Sequence, residues 1–412
     1  MKEGALRRVS LGTVATGLIG QTVTIVSGIM VARALGVEGR GYLALFVIFP
    51  LVISYLGTLG IPHSVTYYTV SGRVSGDTLK RVFLRIFPLQ SVILVLLHVA
   101  VLAIYVEGKP LDVRMAGYVT LLVVPFILAQ QYGMALVQGS GKFVRFNGLR
   151  LIVPVVYTVA VMIIFISEWA DLRVILAAWV LANILSGCVS FYLAIGRVMD
   201  VGNNDAESVS IKEMVGFGTK GLFGSVTPLE SFRLDHVLAG FLMSPAMLGL
   251  YVVGQAFSNL PQFIARSAGM VVYPAVAGKQ GGVGKKKLVW RFFWIVTFFN
   301  VIITTLLIFT LPYLLPLLFG DEFVNAIVLG QILLVGAVFA ASRRIFVEGL
   351  RGAGIPHVST LAEISMYPWL VIGIPLLILW YENLGLAIGV VIAYLISFIV
   401  ALMLGMRELK NE

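Results

Sequence analysis

The sequence predicts an all-α polytopic membrane protein, with twelve transmembrane helices in two pseudo-symmetric six-helix lobes. Three observations lead there. Of 412 residues, 59% are hydrophobic and only 12% charged, about half the charged fraction of an ordinary soluble domain, and the mean hydropathy is +0.98. Apolar runs long enough to cross a hydrocarbon core of about 30 Å recur from end to end. Segments of the first half are echoed in the second. A membrane β-barrel would instead show alternating segments of about 10 residues.

The spans lie near 10–33, 41–70, 82–106, 115–138, 147–167, 173–196, 214–243, 246–276, 288–318, 323–350, 357–380 and 384–406. The first follows Lys2, Arg7 and Arg8, as a signal peptide would. Its apolar run, Leu11 to Ala32, exceeds a signal core of about 7–15 residues and reads as a retained span. The longest polar connection, GRVMDVGNNDAESVSIK at 196–212, divides the chain into a lobe at 1–198, a cytoplasmic linker at 199–212 and a lobe at 213–412. Pro50, Pro125, Pro154, Pro228, Pro261, Pro312, Pro368 and Pro375 fall inside spans, where proline frees a carbonyl and permits a kink. Cys188, the single cysteine, sits in an apolar run and reads as a small buried hydrophobe.

Charge orients the chain. With the N-terminus cytoplasmic, 20 of the 30 lysines and arginines fall on the cytoplasmic side and 5 outside, the remainder lying within spans. The positive-inside rule then places both termini in the cytoplasm. It also accounts for much of the net charge of +10 without nucleic acid. Trp169 and Trp380 at external ends, and Trp290 and Trp294 at a cytoplasmic end, suit interfacial anchors. Trp179 and Trp369 lie deeper, where they either pack between helices, the favoured reading, or line a cavity.

The internal repeat pairs ALGVEGRGYLALF (34–46) with PAMLGLYVVGQAF (245–257), and ALVQGSGKFVRFNGLRLI (135–152) with EGLRGAGIPHVSTLAEI (348–364). Six spans repeated once keep the same orientation, so the halves relate by an axis along the membrane normal. VARALGVEGRGYLALF, LDHVLAGFLMSPAMLGLYVVGQAF and LRGAGIPHVSTLAEI occur in order along the chain. In these motifs it resembles the polysaccharide-transport branch of the multidrug/oligosaccharidyl-lipid/polysaccharide exporter superfamily. The resemblance implies alternating access and the flipping of an undecaprenyl-pyrophosphate-linked oligosaccharide to the external leaflet of the plasma (inner) membrane. Lipid II flippases of the superfamily typically have fourteen spans, and the twelve counted here point away from that branch.

Span 214–243 is the anomaly, carrying Lys220, Glu230, Arg233, Asp235 and His236. A charge at the bilayer centre costs about 2.5–3.5 kcal/mol on insertion scales, so these groups must turn toward protein, water or ligand. On one continuous helix Lys220, Glu230 and Arg233 share a broad face, and Glu230 and Arg233, three apart, can pair. Asp235 and His236 lie nearer the external end, within reach of interfacial water. Farther on, Arg344, Glu348 and Arg351 form one helical stripe. Arg343 lies off that stripe, and both Arg343 and Arg344 are able to snorkel to headgroups. A pyrophosphate linkage calls for cations, which makes Lys220, Arg233, Arg266 and Arg344 the substrate-binding candidates. Glu230, Glu363 and Asp235 are the candidates for a coupling H⁺ or Na⁺. In the first half, Gln21, Tyr55, Gln130, Gln131 and Asn183 offer hydrogen bonds to sugar hydroxyls or to neighbouring helices.

Nothing points to an enzyme. GKQGGVGKKK (278–287) fails the P-loop pattern, with Lys279 where glycine is required, and reads as a basic cytoplasmic loop attracted to anionic lipid. No metal-spaced cluster or hydrolase motif occurs, and no cofactor is expected. The partners expected are a lipid-linked oligosaccharide, H⁺ or Na⁺, anionic membrane lipids and other glycan-assembly proteins. The alternative is a cation-coupled multidrug exporter of the same superfamily, which an acidic cavity would favour.

Overall fold

A computed structural model describes residues 3–200, 209–225, 227–230, 232–279 and 281–411. Most of the expected linker therefore lies outside the described residues. Among the described residues all regular structure is helical: α1 (Glu3–Gly57), α2 (Ile61–Val70), α3 (Gly76–Arg81), α4 (Phe87–Val106), α5 (Leu111–Tyr118), α6 (Val123–Gly139), α7 (Phe143–Ile166), α8 (Leu172–Asp200), α9 (Ile211–Ser225), α10 (Leu234–Leu242), α11 (Pro245–Ala277), α12 (Gly282–Phe319), α13 (Ala326–Ala353), α14 (His357–Ile364) and α15 (Ile374–Asn411).

Eight helical stretches are long and apolar enough to cross a membrane. Two of them contain a break, at Gly36 (φ 64°) in α1 and at Glu382 (φ 48°) in α15, so each supplies two crossings. With α11 and the α9–α10 pair, the twelve expected spans all have helical counterparts. Proline explains part of the irregularity. Single π-helical turns at Val82–Ile86 and Trp369–Gly373 adjoin Pro88 and Pro368, whose missing N–H groups disrupt the regular ladder. Helix ends follow local chemistry. Ser244 caps α11, its Oγ accepting from Met247 N at 3.3 Å, with Pro245 in the first turn. Gly354 (φ 100°) closes α13 ahead of Pro356.

Polarity is arranged inside out relative to a soluble protein. Leu96, Ile104, Phe309 and Leu379 are exposed, whereas Asn300, Gln255, Asp235 and Arg343 are buried. That pattern suits a lipid surround, where apolar groups face outward and polar groups must be satisfied internally. Cys188, expected to be buried, is instead exposed on the apolar helix α8. The basic run 285–287 begins α12 rather than forming a loop.

The chain packs as two compact units, 1–35 with 45–225, and 36–44 with 226–412. Relative to the sequence repeat, each unit takes one segment from the other half: α9 packs in the first, 36–44 in the second. In the first unit, Ser64 Oγ donates to Met214 O at 2.5 Å and Phe217 stacks on Tyr67 with ring centroids 4.5 Å apart, tying α9 to α2. Gln130 donates to Ser186 Oγ (2.8 Å) and Asn183 to Trp179 O (2.9 Å), so these two amides serve helix packing. Trp179 is buried, and Trp369 Nε1 donates to Gly389 O at 2.8 Å, as packing residues would.

In the second unit the two repeat motifs cross each other. A Cβ on Gly41 would lie 1.8 Å from Pro245 O, and one on Gly249 would lie 1.9 Å from Val37 O. The crossing is reciprocal: Val37 and Gly41 stand to Pro245 and Gly249 as the latter stand to the former. Only glycine permits this backbone approach. Gly41→Val or Gly249→Val is therefore expected to abolish monodisperse, heat-stable protein in detergent. Gly148→Ala, where a Cβ meets nothing within 4 Å, should leave the melting temperature unchanged or slightly raised, as size-exclusion and thermal melting would show.

Candidate functional site

The seventh span is not one helix. α9 ends at Ser225, and the chain turns through 227–230 before α10 starts at Leu234. Pro228 lies in this turn, where it cannot donate a helical hydrogen bond; its carbonyl instead accepts from Leu234 N at 3.1 Å. Arg233 caps α10 in the left-handed region (φ 48°, ψ 45°), a conformation a non-glycine residue holds only with compensation. The interruption overturns two expectations. Lys220, Glu230 and Arg233 do not share a helical face, because no continuous helix joins them. Glu230 does not pair with Arg233 either, since each is committed elsewhere.

Glu230 sits in a chain of ion pairs joining the turn before α10 to α13 and α14. Its carboxylate contacts Arg344 Nη1 at 3.0 Å and Arg343 Nη2 at 3.8 Å. Arg343 donates to Glu363 of α14. Arg344 Nε lies 3.9 Å from Glu348, Glu348 contacts Arg351 at 3.1 Å, and Arg351 donates to Ser359 Oγ at 2.9 Å. The expected stripe of Arg344, Glu348 and Arg351 is thus real, and Arg343, off the stripe, is the best-buried member. Its side chain is 3% exposed, so it does not snorkel. α13 passes close to α11 here: a Cβ on Gly269 would lie 3.0 Å from Glu348 Cγ.

A second cluster surrounds Asp235, which is fully buried, with His236 nearly so; neither reaches interfacial water as expected. Tyr251 Oη and Gln255 Nε2 of α11 each donate to Asp235 Oδ2 at 2.7 Å. Arg233 Nε lies 3.9 Å from Asp235 Oδ1, and His236 Nε2 lies 3.8 Å from Oδ2. Arg233 also donates to Gln255 Oε1 and approaches His236 Nε2 at 2.5 Å. Tyr394 of α15 is buried within electrostatic reach of both Glu230 and Asp235. Tyr251 and Gln255, four apart within the repeat motif, form a polar pair on one face of α11 that the sequence reading passed over.

Arg266, on α11, differs from these arginines. Its Nε donates to Gln262 O at 3.4 Å, and among the described residues no carboxylate lies within ion-pair distance. It is half-buried. The structure therefore gathers Glu230, Arg344 and Glu363 into one network and Arg233 and Asp235 into another, with Arg266 on the same unit. Lys220 is exposed on α9, in the other unit. Among the described residues no group of three metal-ligating side chains comes together.

Comparison with known structures gives the fold a wider setting. The lipid II flippase MurJ in its inward closed conformation is 14% identical, with a TM-score of 0.74 over 95% of this chain and 86% of that one. An inward-facing MATE family multidrug resistance transporter of the MOP superfamily is 16% identical, with a TM-score of 0.73 over 95% of both chains. A MOP superfamily transporter from Pyrococcus furiosus, described as having a binding pocket of reverse polarity, is 16% identical with a TM-score of 0.65, over 98% of this chain and 95% of that one. At these identities the likeness is one of fold: twelve membrane helices built as in MOP superfamily transporters. A search of curated proteins finds no match. The polysaccharide biosynthesis protein family matches residues 7–279, well over half the sequence; the chain is a multi-pass membrane protein belonging to that family.

Proposed function

We propose that the protein flips a lipid-linked oligosaccharide of the undecaprenyl-pyrophosphate type from the cytoplasmic to the external leaflet by alternating access. In this reading it resides in the plasma membrane with both termini inside. The observation that carries it is Arg266. A guanidinium on α11, the helix this reading assigns to the eighth span, with no carboxylate beside it among the described residues, is costly in a membrane. An anionic ligand removes that cost. Arg233 and Arg344, on the same unit, have side chains 25% and 30% exposed, and planar guanidinium forks suit pyrophosphate oxygens. Lys220, exposed on α9, is proposed as a further substrate-binding cation.

Asp235, Glu363 and Glu230 are the proposed groups for a coupling H⁺ or Na⁺. Asp235 Oδ1 and Glu363 Oε2 accept no hydrogen bond among the described residues, which favours these two over Glu230, already shared by two arginines. The basic start of α12 and the stacked, interfacial Trp290 and Trp294 (centroids 6.4 Å apart) favour anionic lipid at that end. Cation-coupled drug export is the second reading, supported by the fold shared with a MATE transporter across 95% of both chains. A cationic drug would have to approach Arg266 and Arg344 against repulsion, which ranks it below the flippase.

Two outcomes test this reading. A charge-assisted hydrogen bond contributes about 1.5–3 kcal/mol, so Arg266→Gln should lower surface glycan about tenfold or more, with protein level and melting temperature unchanged. Arg266→Lys should retain part of the activity. Undiminished glycan in Arg266→Gln removes the site, and loss of drug resistance with normal glycan selects the exporter. Glu230→Gln leaves Arg343 and Arg344 short of a buried counter-charge and should cost about 3 kcal/mol of stability. Adding Arg344→Gln should restore part of that loss, as thermal melting of the double-mutant cycle would reveal.

A further inference from the structure

We infer that His236 is a proton-binding site whose occupancy releases Arg233 for the anionic ligand. This inference rests on the substrate-binding role of Arg233 proposed above.

The geometry defines the state of the ring. Gln255 Nε2 donates to Asp235 Oδ2 at 2.7 Å, so its Oε1 is the face turned to Arg233 and His236. A guanidinium carries only donors. Its Nη2 has two hydrogens and two acceptors waiting: Gln255 Oε1, and His236 Nε2 at 2.5 Å. For Nε2 to accept, the imidazole must be neutral with its proton on Nδ1. In this state Arg233 alone supplies the positive charge that buried Asp235 requires.

Protonation changes the assignment. A proton on Nε2 would place two donors and two positive charges 2.5 Å apart, with no acceptor between them. The imidazolium can take over both of the arginine's partners. Its Nε2 is 2.8 Å from Gln255 Oε1 and 3.8 Å from Asp235 Oδ2, against 3.9 Å from Arg233 Nε to Asp235 Oδ1. One buried carboxylate neutralises one cation, so two cations compete for one place. His236 is almost enclosed, whereas a quarter of the Arg233 side chain is exposed; Arg233 is therefore the group that leaves. Its left-handed backbone at the head of α10 relaxes once the side chain is no longer anchored. The other groups facing the ring do not reverse this. Tyr251 of α11 and Tyr394 of α15 are neutral phenols near Asp235, and Arg40 of α1, within electrostatic reach of His236, is a further cation that opposes added positive charge on the ring, so proton uptake requires that Arg233 leave.

Proton uptake by His236 thus converts Arg233 from the counter-ion of Asp235 into an available guanidinium. Histidine is the side chain whose charge ordinarily changes closest to neutrality, which makes His236 the group of this cluster able to carry the exchange. Proton binding and anion binding then assist each other.

The test uses purified full-length protein in nanodiscs, with inorganic pyrophosphate as the probe. Comparing variants with the same probe cancels pyrophosphate's own titration. Wild type should bind about tenfold more tightly at pH 5.5 than at pH 8, relative to His236→Gln, whose binding should stay weak throughout that range. Arg233→Gln should bind weakly at both pH values. ¹⁵N spectra of histidine-labelled protein, with the His236 signal assigned by its loss in His236→Gln, should show a bare Nε2 and a protonated Nδ1 at pH 8. In Arg233→Gln the His236 signal should titrate at higher pH than in wild type. If His236→Gln keeps the full pH dependence of wild type, or if Nε2 carries the proton at pH 8, the exchange is overturned while the role of Arg233 stands. If Arg233→Gln binds pyrophosphate normally yet shifts the His236 titration, the proton site survives and the assignment of Arg233 to substrate falls.

Discussion

Charge inside hydrocarbon must be met by charge inside the protein, and this one constraint organises the second unit. Glu363, Arg343, Glu230, Arg344, Glu348 and Arg351 alternate in sign from α14 across α13 to the turn before α10. Removing one member of such a buried set costs about 3–5 kcal/mol, because a partner is left charged and alone. The network therefore fixes more than side chains. It ties the turn before α10 to α13, just ahead of where Arg233 and Asp235 begin that helix.

Against that background of paired charge, exceptions acquire meaning. Arg266 has a backbone carbonyl but no carboxylate, and Arg233 shares its one carboxylate with a histidine. Both lie on a unit whose other deep arginine, Arg343, is paired with both Glu230 and Glu363. A site for a pyrophosphate-linked lipid needs cations that are held in place but not consumed. Arg344 meets that description as well: Glu230 and Glu348 position it, yet nearly a third of its side chain remains exposed.

Much of this was legible in the sequence. Length and hydropathy of the apolar runs located the twelve spans, since a membrane helix must be apolar for about 20 residues wherever it lies. The i, i+4, i+7 spacing of Arg344, Glu348 and Arg351 revealed the ladder, because helical neighbours are local in sequence. What the sequence concealed was non-local or subtle in backbone terms. The break between α9 and α10 hides behind continuous hydropathy: Pro228 is one of eight prolines in the expected spans, and the left-handed Arg233 has no signature in residue type. The partners of Glu230 lie more than 110 residues away, so helical periodicity offered only Arg233, three positions on. Arg343 was set aside because it faces away from the stripe, and that orientation is what carries it into the protein toward Glu363. The Gly41–Gly249 crossing lay inside the recognised repeat, but motif similarity alone does not say that two copies touch.

The central claim is that the arginines of the second unit receive the phosphates of a lipid-linked glycan. Cryo-electron microscopy of the protein in nanodiscs with a polyprenyl-pyrophosphate glycan tests it most directly. The account predicts phosphate density within hydrogen-bond distance of Arg266 and at least one of Arg233 and Arg344. Density for the pyrophosphate away from all three, with Arg266 satisfied by some other group, would contradict it.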